Sequence, residues 1–149
     1  LEQQAMHLRE DLEVQHARVL IDPLTGILNR AGYTEMVTKH FARWKRYGGA
    51  LSLAVIDLDL FKEINDRYGH AAGDKVLATV ASKLKEVIRE SDVLCRYGGE
   101  EFVLLLPETS VDDARTMLEK LRRHIEDCPF RHKETPVRVT MSCGVGQFR

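Results

Sequence analysis

"DVLCRYGGEEFVLLL", residues 92–106, places two short apolar runs on either side of a pair of glycines. Apolar runs joined by a glycine-containing turn are typical of two antiparallel strands in a hairpin. Gly98 and Gly99 can both adopt positive φ, so a two-residue type I′ turn explains the pair without any function. The same glycines also remove side chains from the hairpin tip, which would let a flat base or a phosphate approach the backbone. The dipeptide by itself fits both interpretations.

Outward from this hairpin, apolar residues recur at helical spacing in three segments and form two further strand-like runs. The helices are predicted at 31–46, 76–88 and 111–125, and the strands at 50–56 and 137–145. The order helix, β, α, β, β, α, β, with local pairing of two strands, predicts an α+β fold. We expect a ferredoxin-like sandwich in which helices cover a mostly antiparallel central sheet.

The last predicted strand alternates between apolar and polar residues. The inward-facing residues are predicted to be Val137, Val139, Met141, Cys143 and Val145, and the outward-facing ones Arg138, Thr140 and Ser142. Cys95 also lies in an apolar run, so both thiols are predicted to be buried. Three cysteines without metal-ligand spacing fit a reducing compartment, and we expect a cytoplasmic domain.

The composition limits the classes of function. The chain has 149 residues, the size of one domain, with 22 Lys and Arg against 23 Asp and Glu. A net charge of -1 gives no overall field that would hold nucleic acid or an anionic membrane. No apolar stretch approaches the roughly 20 residues of a membrane span, so any membrane anchor of the full-length protein would lie outside this chain.

The N-terminal segment, residues 1–20, carries the a/d pattern of a coiled coil, with apolar positions at alternating steps of four and three. These positions are Leu1, Ala5, Leu8, Leu12, Gln15 and Val19. Such a narrow stripe can lie on its own domain or on a partner helix. We interpret residues 1–20 as a stalk or linker from an upstream module and residues 21–149 as the globular domain.

Acidic residues follow the apolar strand and also occupy the hairpin turn. Asp57 and Asp59 end the strand, and Glu100 and Glu101 follow the glycines. If the two strands are neighbours, these carboxylates meet at one end of the sheet, where they repel each other unless a cation lies between them. Hard oxygen ligands favour Mg²⁺. The alternative is that Asp57 or Asp59 caps the next helix while the glutamates are solvated turn residues.

The helix that begins at "FKEIND", residues 61–66, offers a site for phosphate. Backbone N–H groups near Leu60 and Phe61 would point outward at its start, and Lys62 adds a full positive charge. The alternative for Lys62 is an ordinary surface lysine at the start of a helix.

Two further polar groups have both structural and functional interpretations. Asn65, His70 and Asp74 lie across a helix end, a turn and the next helix start, where they could bind a ligand or serve as local hydrogen-bonding residues. Arg89 and Asp92, three residues apart before the hairpin, could be an exposed ion pair worth under about 1 kcal/mol.

Three blocks together resemble one known family. "DPLTGILNR" at 22–30, "DLDLFKEINDRYGHAAGD" at 57–74 and "RYGGEEF" at 96–102 are similar to the diguanylate cyclase (GGDEF-domain) family in its GGEEF form. The resemblance implies a fold like the adenylyl cyclase catalytic core and the polymerase palm. It also implies condensation of two GTP molecules into cyclic di-GMP and two pyrophosphates, with guanine as the base that is recognised.

The resemblance assigns roles to individual residues. The ligands of Mg²⁺, for which Mn²⁺ can substitute, would be Asp57, the backbone carbonyl of Leu58, and Glu100. The catalytic groups would be Glu100, Glu101 and Lys62, with either carboxylate as the base. The substrate would contact Leu60, Phe61, Lys62, Asn65, His70, Asp74, Gly98 and Gly99, with Asn65 and Asp74 on the guanine edge. One metal would activate the ribose 3′-hydroxyl and the other would neutralise the leaving pyrophosphate.

The resemblance also implies partners. Two half-sites must face each other to make the cyclic product, so the working enzyme would be a homodimer whose stalk connects to an upstream sensory domain. "RESD", residues 89–92, matches an RxxD inhibitory site, in which Arg89 and Asp92 would bind product. The family continues into a further helix with basic phosphate contacts, whereas this sequence stops at Arg149. The alternative is a silent domain that only binds GTP or cyclic di-GMP.

Overall fold

The computed structural model describes the backbone of residues 1–149 and all side chains except those of residues 17 and 18. The helices are α1 (Glu2–Leu20), α2 (Arg30–Tyr47), α3 (Phe61–Tyr68), α4 (His70–Val87) and α5 (Val111–Glu126). The strands are β1 (Leu51–Leu58), β2 (Val93–Arg96), β3 (Glu101–Pro107), β4 (Phe130–His132), β5 (Thr135–Val137) and β6 (Met141–Gln147).

The central sheet has four strands in the order β2-β3-β1-β6, and every neighbouring pair is antiparallel. The main core lies between one face of this sheet and helices α3, α4 and α5, where Ile56, Phe102 and Leu121 are fully buried. A smaller cluster between the other face and α2 includes Leu51 and Leu105. The predicted α+β fold with a mostly antiparallel sheet is therefore confirmed.

The connection between β1 and β2 contains two helices that meet at Gly69. Gly69 ends α3 by donating its N–H to the Asn65 carbonyl at 2.8 Å, and its φ of 92° is one that side-chain-bearing residues rarely adopt. Helix α4 then begins at His70, earlier than the apolar periodicity from residue 76 predicts. As a result, Asn65 lies on α3 and both His70 and Asp74 lie on α4.

The burial predicted for residues 137–145 is wrong at Cys143. Residues 138–140 interrupt the strand, so the segment divides into β5, which pairs with β4 in a separate hairpin, and β6. Val137, Val139 and Met141 are buried as predicted, but Cys143 is exposed. Strand β6 is an edge strand, and its residues beyond Met141 are only partly covered. Cys95 is buried as expected, and this burial raises the pKa of its thiol to about 12.

Helix α1 leaves its apolar stripe uncovered. Leu8, Leu12 and Val19 are each more than 60% exposed, so the stripe does not lie on its own domain. Asn29 joins α1 to the globular domain: its backbone N–H donates to the Leu20 carbonyl and its side-chain amide to the Val19 carbonyl. Among the helices of the described chain, none combines the length and apolar character needed to cross a membrane.

Candidate nucleotide-binding site

The end of β1 and the start of β3 bring acidic residues together. Asp57 pairs directly with Glu101 across the two strands, and the Leu58 N–H donates to the Glu100 carbonyl at 3.3 Å. No group of three or more metal-binding side chains is assembled among the residues that the structure describes. The carboxylates at this edge are hard oxygen donors, and Mg²⁺ is usually held by one or two such groups together with substrate phosphates and water.

Asp59 does not belong to this acidic edge. Its carboxylate accepts hydrogen bonds from the hydroxyls of Thr140 at 2.8 Å and Ser142 at 2.6 Å. These bonds attach the end of β1 to β6, so Asp59 has a structural role. The helix-capping alternative is also wrong, because the N-cap of α3 is Leu60 and no side chain caps the helix.

The N-terminus of α3 has the features of an anion site. Leu60 adopts a left-handed conformation with φ of 55°, and its side chain is 69% exposed. Without a capping side chain, the first N–H groups of α3 remain available to a ligand. Lys62 is exposed in the first turn of the same helix. A phosphate there would meet both the helix dipole and a full positive charge.

A cleft of about 440 Å³ lies between α3, α4 and the hairpin turn. Its lining consists of Phe61, Lys62, Asn65, Asp74, Leu77, Arg96, Gly99 and Glu100. Six of these residues are predicted site residues, which the sequence separates by up to 39 positions. The predicted metal, catalytic and substrate residues outside the lining are Asp57, Leu58, Leu60, His70, Gly98 and Glu101, and the predicted inhibitory residues Arg89 and Asp92 also lie outside it. His70 is exposed at the first position of α4.

Asn65 lies at the wall of this cleft with an unusual environment. Its Oδ1 atom is buried and has no hydrogen-bond partner among the described residues. Gly73 of α4 lies against it, and a Cβ atom on Gly73 would overlap Oδ1 and come within 2.9 Å of the Asn65 Cγ. The missing side chain of Gly73 therefore leaves the space that the Asn65 amide occupies.

The turn of the hairpin differs from the predicted type I′ turn. Tyr97 donates its N–H to the Glu101 carbonyl at 2.9 Å, which leaves three residues in the loop instead of two. Neither Gly98 nor Gly99 lies in the left-handed region. A Cβ atom on Gly99 would meet nothing within 4 Å, so the turn is open in front of this residue. This agrees with the interpretation that the glycines keep the tip accessible.

Arg96 is a site residue that the sequence analysis missed. Its guanidinium donates to the Gly99 carbonyl at 2.9 Å and 3.2 Å and to both carboxylate oxygens of Asp22. Burial opposes ionisation of Asp22, but hydrogen bonds from Thr25 and Arg96 outweigh it and lower the pKa. Arg96 thus holds the turn in shape while lining the cleft. Its position directly before "YGG" and the aspartate of "DPLTG" were the available signals.

Arg89 and Asp92 form more than an exposed ion pair. The Asp92 side chain is fully buried and accepts from the Arg89 guanidinium at 3.0 Å and from the Arg89 backbone N–H at 2.8 Å. The same guanidinium donates to the Thr109 hydroxyl and the Pro107 carbonyl, and its side chain stays 49% exposed. The Asp92 carboxylate is therefore engaged within the chain, whereas part of Arg89 is open to a ligand.

The antiparallel sheet, its acidic edge and the cleft beside it define an α+β domain with a candidate nucleotide site at one end of the sheet. The chain belongs to the GGDEF family: residues 19–149 match the family described as "Diguanylate cyclase, GGDEF domain". The family inferred from the three sequence blocks is thus confirmed.

Curated relatives and solved structures agree with this family. The chain is 48% identical to Diguanylate cyclase DgcP of Pseudomonas aeruginosa, over 99% of the chain and 22% of that protein. It is 39% identical to Response regulator PleD of Caulobacter vibrioides, over 93% of the chain and 31% of that protein. The chain therefore spans less than a third of these curated relatives.

Two solved structures resemble nearly the whole chain. Diguanylate cyclase SiaD of Pseudomonas aeruginosa, in complex with its activator SiaC, matches with a TM-score of 0.87 and 36% identity over 99% of this chain and 57% of that one. The coiled coil and GGDEF domain of DgcB from Caulobacter crescentus, in complex with c-di-GMP, matches with a TM-score of 0.92 and 29% identity. This match covers 99% of this chain and 79% of that one. The second of these matches includes a coiled coil.

Proposed function

We propose that this chain is the catalytic part of a diguanylate cyclase, which condenses two GTP molecules into cyclic di-GMP and two pyrophosphates. The observation that carries the proposal is the convergence of Lys62, Asn65, Asp74 and Glu100 on one cleft beside the Asp57 strand end. The identity to named diguanylate cyclases over almost the whole chain supports it. A cytoplasmic location is part of the proposal, since a reducing compartment would keep the three free cysteines reduced.

The metal would be held by Asp57, the backbone carbonyl of Leu58, and Glu100, with Mg²⁺ as the preferred ion. The chemistry that a pair of such ions supplies when bound is activation of the 3′-hydroxyl and neutralisation of charge on the leaving pyrophosphate. Glu101 lies directly across from Asp57 and would add a further carboxylate beside the ions. Glu100 and Glu101 are therefore both candidates for the base.

The rest of the 440 Å³ cleft, which we call the nucleotide cleft, would bind and orient the nucleotide. Lys62 and the free N–H groups at the start of α3 would hold the phosphates, with Leu60 and Phe61 supplying that backbone. Asn65 and Asp74 would recognise the guanine edge, since an amide and a carboxylate match its donors and acceptor. His70 would contact the substrate from the start of α4.

Activity can be tested directly. We expect the protein incubated with GTP and Mg²⁺ to form cyclic di-GMP and pyrophosphate in a ratio of one to two, measured by chromatography and mass spectrometry. A domain that binds GTP by calorimetry but forms no product would support the alternative of a silent binding module. Binding of neither GTP nor cyclic di-GMP would overturn both interpretations.

We further propose that the working enzyme is a homodimer joined through α1, which connects to an upstream sensory domain. Two antiparallel nucleotides in facing half-sites are required, and the exposed stripe on α1 offers an apolar surface for a second copy. Because Asn29 fixes the end of α1 to the domain, a rotation of the stalk would change how the two sites face each other. Such a change would alter the rate without altering the chemistry.

Replacing Leu8 and Leu12 together by glutamine is expected to raise the protein concentration needed for half-maximal specific activity by about tenfold or more. Each proposed dimer would lose the four leucines of its helix–helix contact, which weakens association, while the hydrogen bonds from Asn29 to α1 stay intact. Sedimentation and initial rates at a series of concentrations measure the effect. Met6→Gln with Val14→Gln is the control, since both residues are exposed but off the stripe. Equal behaviour of the two double variants would disprove the stalk dimer.

Product inhibition at Arg89 is the remaining part of the proposal. We expect Arg89→Lys to keep its charge but to weaken inhibition by cyclic di-GMP about tenfold, because lysine cannot form a bidentate contact with phosphate or stack on guanine. The substitution also keeps a cation beside the buried Asp92. The measurement is the inhibitor concentration that halves the initial rate. If Arg89→Ala is inhibited as strongly as the parent protein, the assignment is refuted.

A further inference from the structure

A second cleft, of about 410 Å³, lies between the α3–α4 pair and the β4–β5 hairpin. It shares both helices with the nucleotide cleft but has no lining residue in common with it. Its apolar floor consists of Ile64, Ala72, Val76, Phe130 and Val137, each at most 8% exposed. The rings of Tyr68 and His132 lie on one wall, with their centroids 5.5 Å apart. We call this space the hairpin cleft.

The charged residues of the hairpin cleft all have the same sign. Lys75, Arg131 and Lys133 line it, and no Asp or Glu is among its lining residues. Within the described part of the chain, none of these three cations has a carboxylate oxygen within 4.0 Å. By contrast, the three arginines of α5, Arg115, Arg122 and Arg123, each have a carboxylate oxygen within 4.0 Å. An anion in the hairpin cleft would therefore meet three uncompensated positive charges.

We propose that the hairpin cleft binds a small organic anion, in which an apolar ring or chain carries a phosphate or a carboxylate. The volume is within the range of small-molecule sites, which are mostly apolar with a few polar groups that fix orientation. The apolar body would cover the floor and the ring wall, while the acidic group would lie among Lys75, Arg131 and Lys133. Arg89 and Asp92 do not line this cleft, so it is separate from the proposed product-inhibition site.

The charge complementarity can be tested with a fluorescent probe on the full chain without GTP. The probe is 1-anilinonaphthalene-8-sulfonate, an aromatic ring system with one anionic group, and its neutral analogue is N-phenyl-1-naphthylamine. We compare the parent with a cleft variant, in which Lys75, Arg131 and Lys133 are all replaced by glutamine. The control variant replaces Lys39, Lys85 and Lys120 by glutamine, which removes the same charge from exposed positions elsewhere.

We expect the cleft variant to bind the anionic probe about tenfold more weakly than the parent, with binding of the neutral analogue within about twofold. The control variant should bind both probes like the parent. Because all six substituted residues are exposed, circular dichroism and Tm should not change. Unchanged binding in the cleft variant would overturn the proposal. An equal loss in both variants would also overturn it, because that loss would come from net charge alone.

Competition then identifies the acidic group. The probe is displaced with 1-naphthyl phosphate and with 1-naphthoate, which share a ring system and differ in the anionic group. Stronger displacement by either compound supports the site and defines the chemical class of its ligand. If neither compound displaces the probe from the parent, the hairpin cleft does not take this class of ligand. None of these outcomes depends on cyclase activity, so the two proposals can fail separately.

Discussion

Glu100→Ala is expected to reduce the rate of cyclic di-GMP formation by about a thousandfold while the protein stays folded. Glu100 lines the nucleotide cleft, and none of the ion pairs among the described residues includes its side chain. Its removal therefore costs little stability. A metal ion contributes several kcal/mol of charge stabilisation in the transition state, and about 1.4 kcal/mol corresponds to a tenfold change in rate. Loss of a proposed carboxylate ligand would remove most of that contribution.

Two further variants test the reason for this loss: Glu100→Gln tests the effect of the negative charge, and Glu63→Ala tests the effect of its position. Glu100→Gln keeps the shape of the side chain but not the negative charge, so it should lose nearly as much activity as Glu100→Ala. Glu63 is exposed on α3 and does not line the cleft, so Glu63→Ala should keep activity within about twofold. Initial rates of pyrophosphate release at saturating GTP measure all three. Retention of more than about a tenth of the parent rate by Glu100→Ala would exclude its role as a metal ligand.

The sequence predicts most of the fold because burial imposes a period on each element. Helix α5 shows this directly: its predicted apolar residues from Ala114 to Ile125 include the four that are buried. The β4–β5 hairpin was missed because each of its strands has three residues and β5 contains Pro136. Its tip has Lys133 and Glu134 at positive φ, where glycine or asparagine is the usual signal.

Cys143 illustrates a second limit. Alternation along a strand indicates which side of the sheet a residue faces, but it does not indicate whether that side is covered. Cys143 pairs with the fully buried Ile56 of β1, so its predicted side is correct. It is exposed because β6 is at the edge of the sheet. Coverage is a property of the packed chain that a local pattern does not contain.

At the site, the sequence predicts which types of residue are present, but it does not predict which of them form hydrogen bonds or ion pairs with one another. Clustered carboxylates and a lysine at a helix start indicate metal and phosphate chemistry, and Lys62 and Glu100 do line one cleft. The Arg96–Asp22 ion pair joins residues 74 positions apart, and no local pattern predicts it. The individual roles of the site residues are predictions, which variants of Glu100, Asn65 and Gly73 can test.

Gly73→Ala is expected to raise the KM for GTP by about tenfold or more without lowering Tm. Alanine is favoured over glycine in a helix interior by up to about 1 kcal/mol, so α4 itself should gain stability. A Cβ atom at residue 73 would occupy the position of the Asn65 Oδ1 atom and would lie 3.2 Å from the Phe61 ring. The end of the Asn65 side chain can rotate away at little cost to folding, but its amide would then leave the proposed guanine contact. Loss of a contact of this kind costs about 1 to 3 kcal/mol of binding.

A double-mutant cycle shows whether Gly73 acts through Asn65. Asn65→Ala should raise the KM to a similar extent, since it removes the same amide. In the Asn65→Ala background, the space next to residue 73 is empty. Adding Gly73→Ala should therefore change the KM by less than about twofold, which is the non-additive result expected of two residues in contact. Effects that multiply in the double variant would mean that Gly73 disturbs the site by another route, for example through Phe61. An unchanged KM in Gly73→Ala alone would mean that the Asn65 amide, in the position seen here, does not hold guanine.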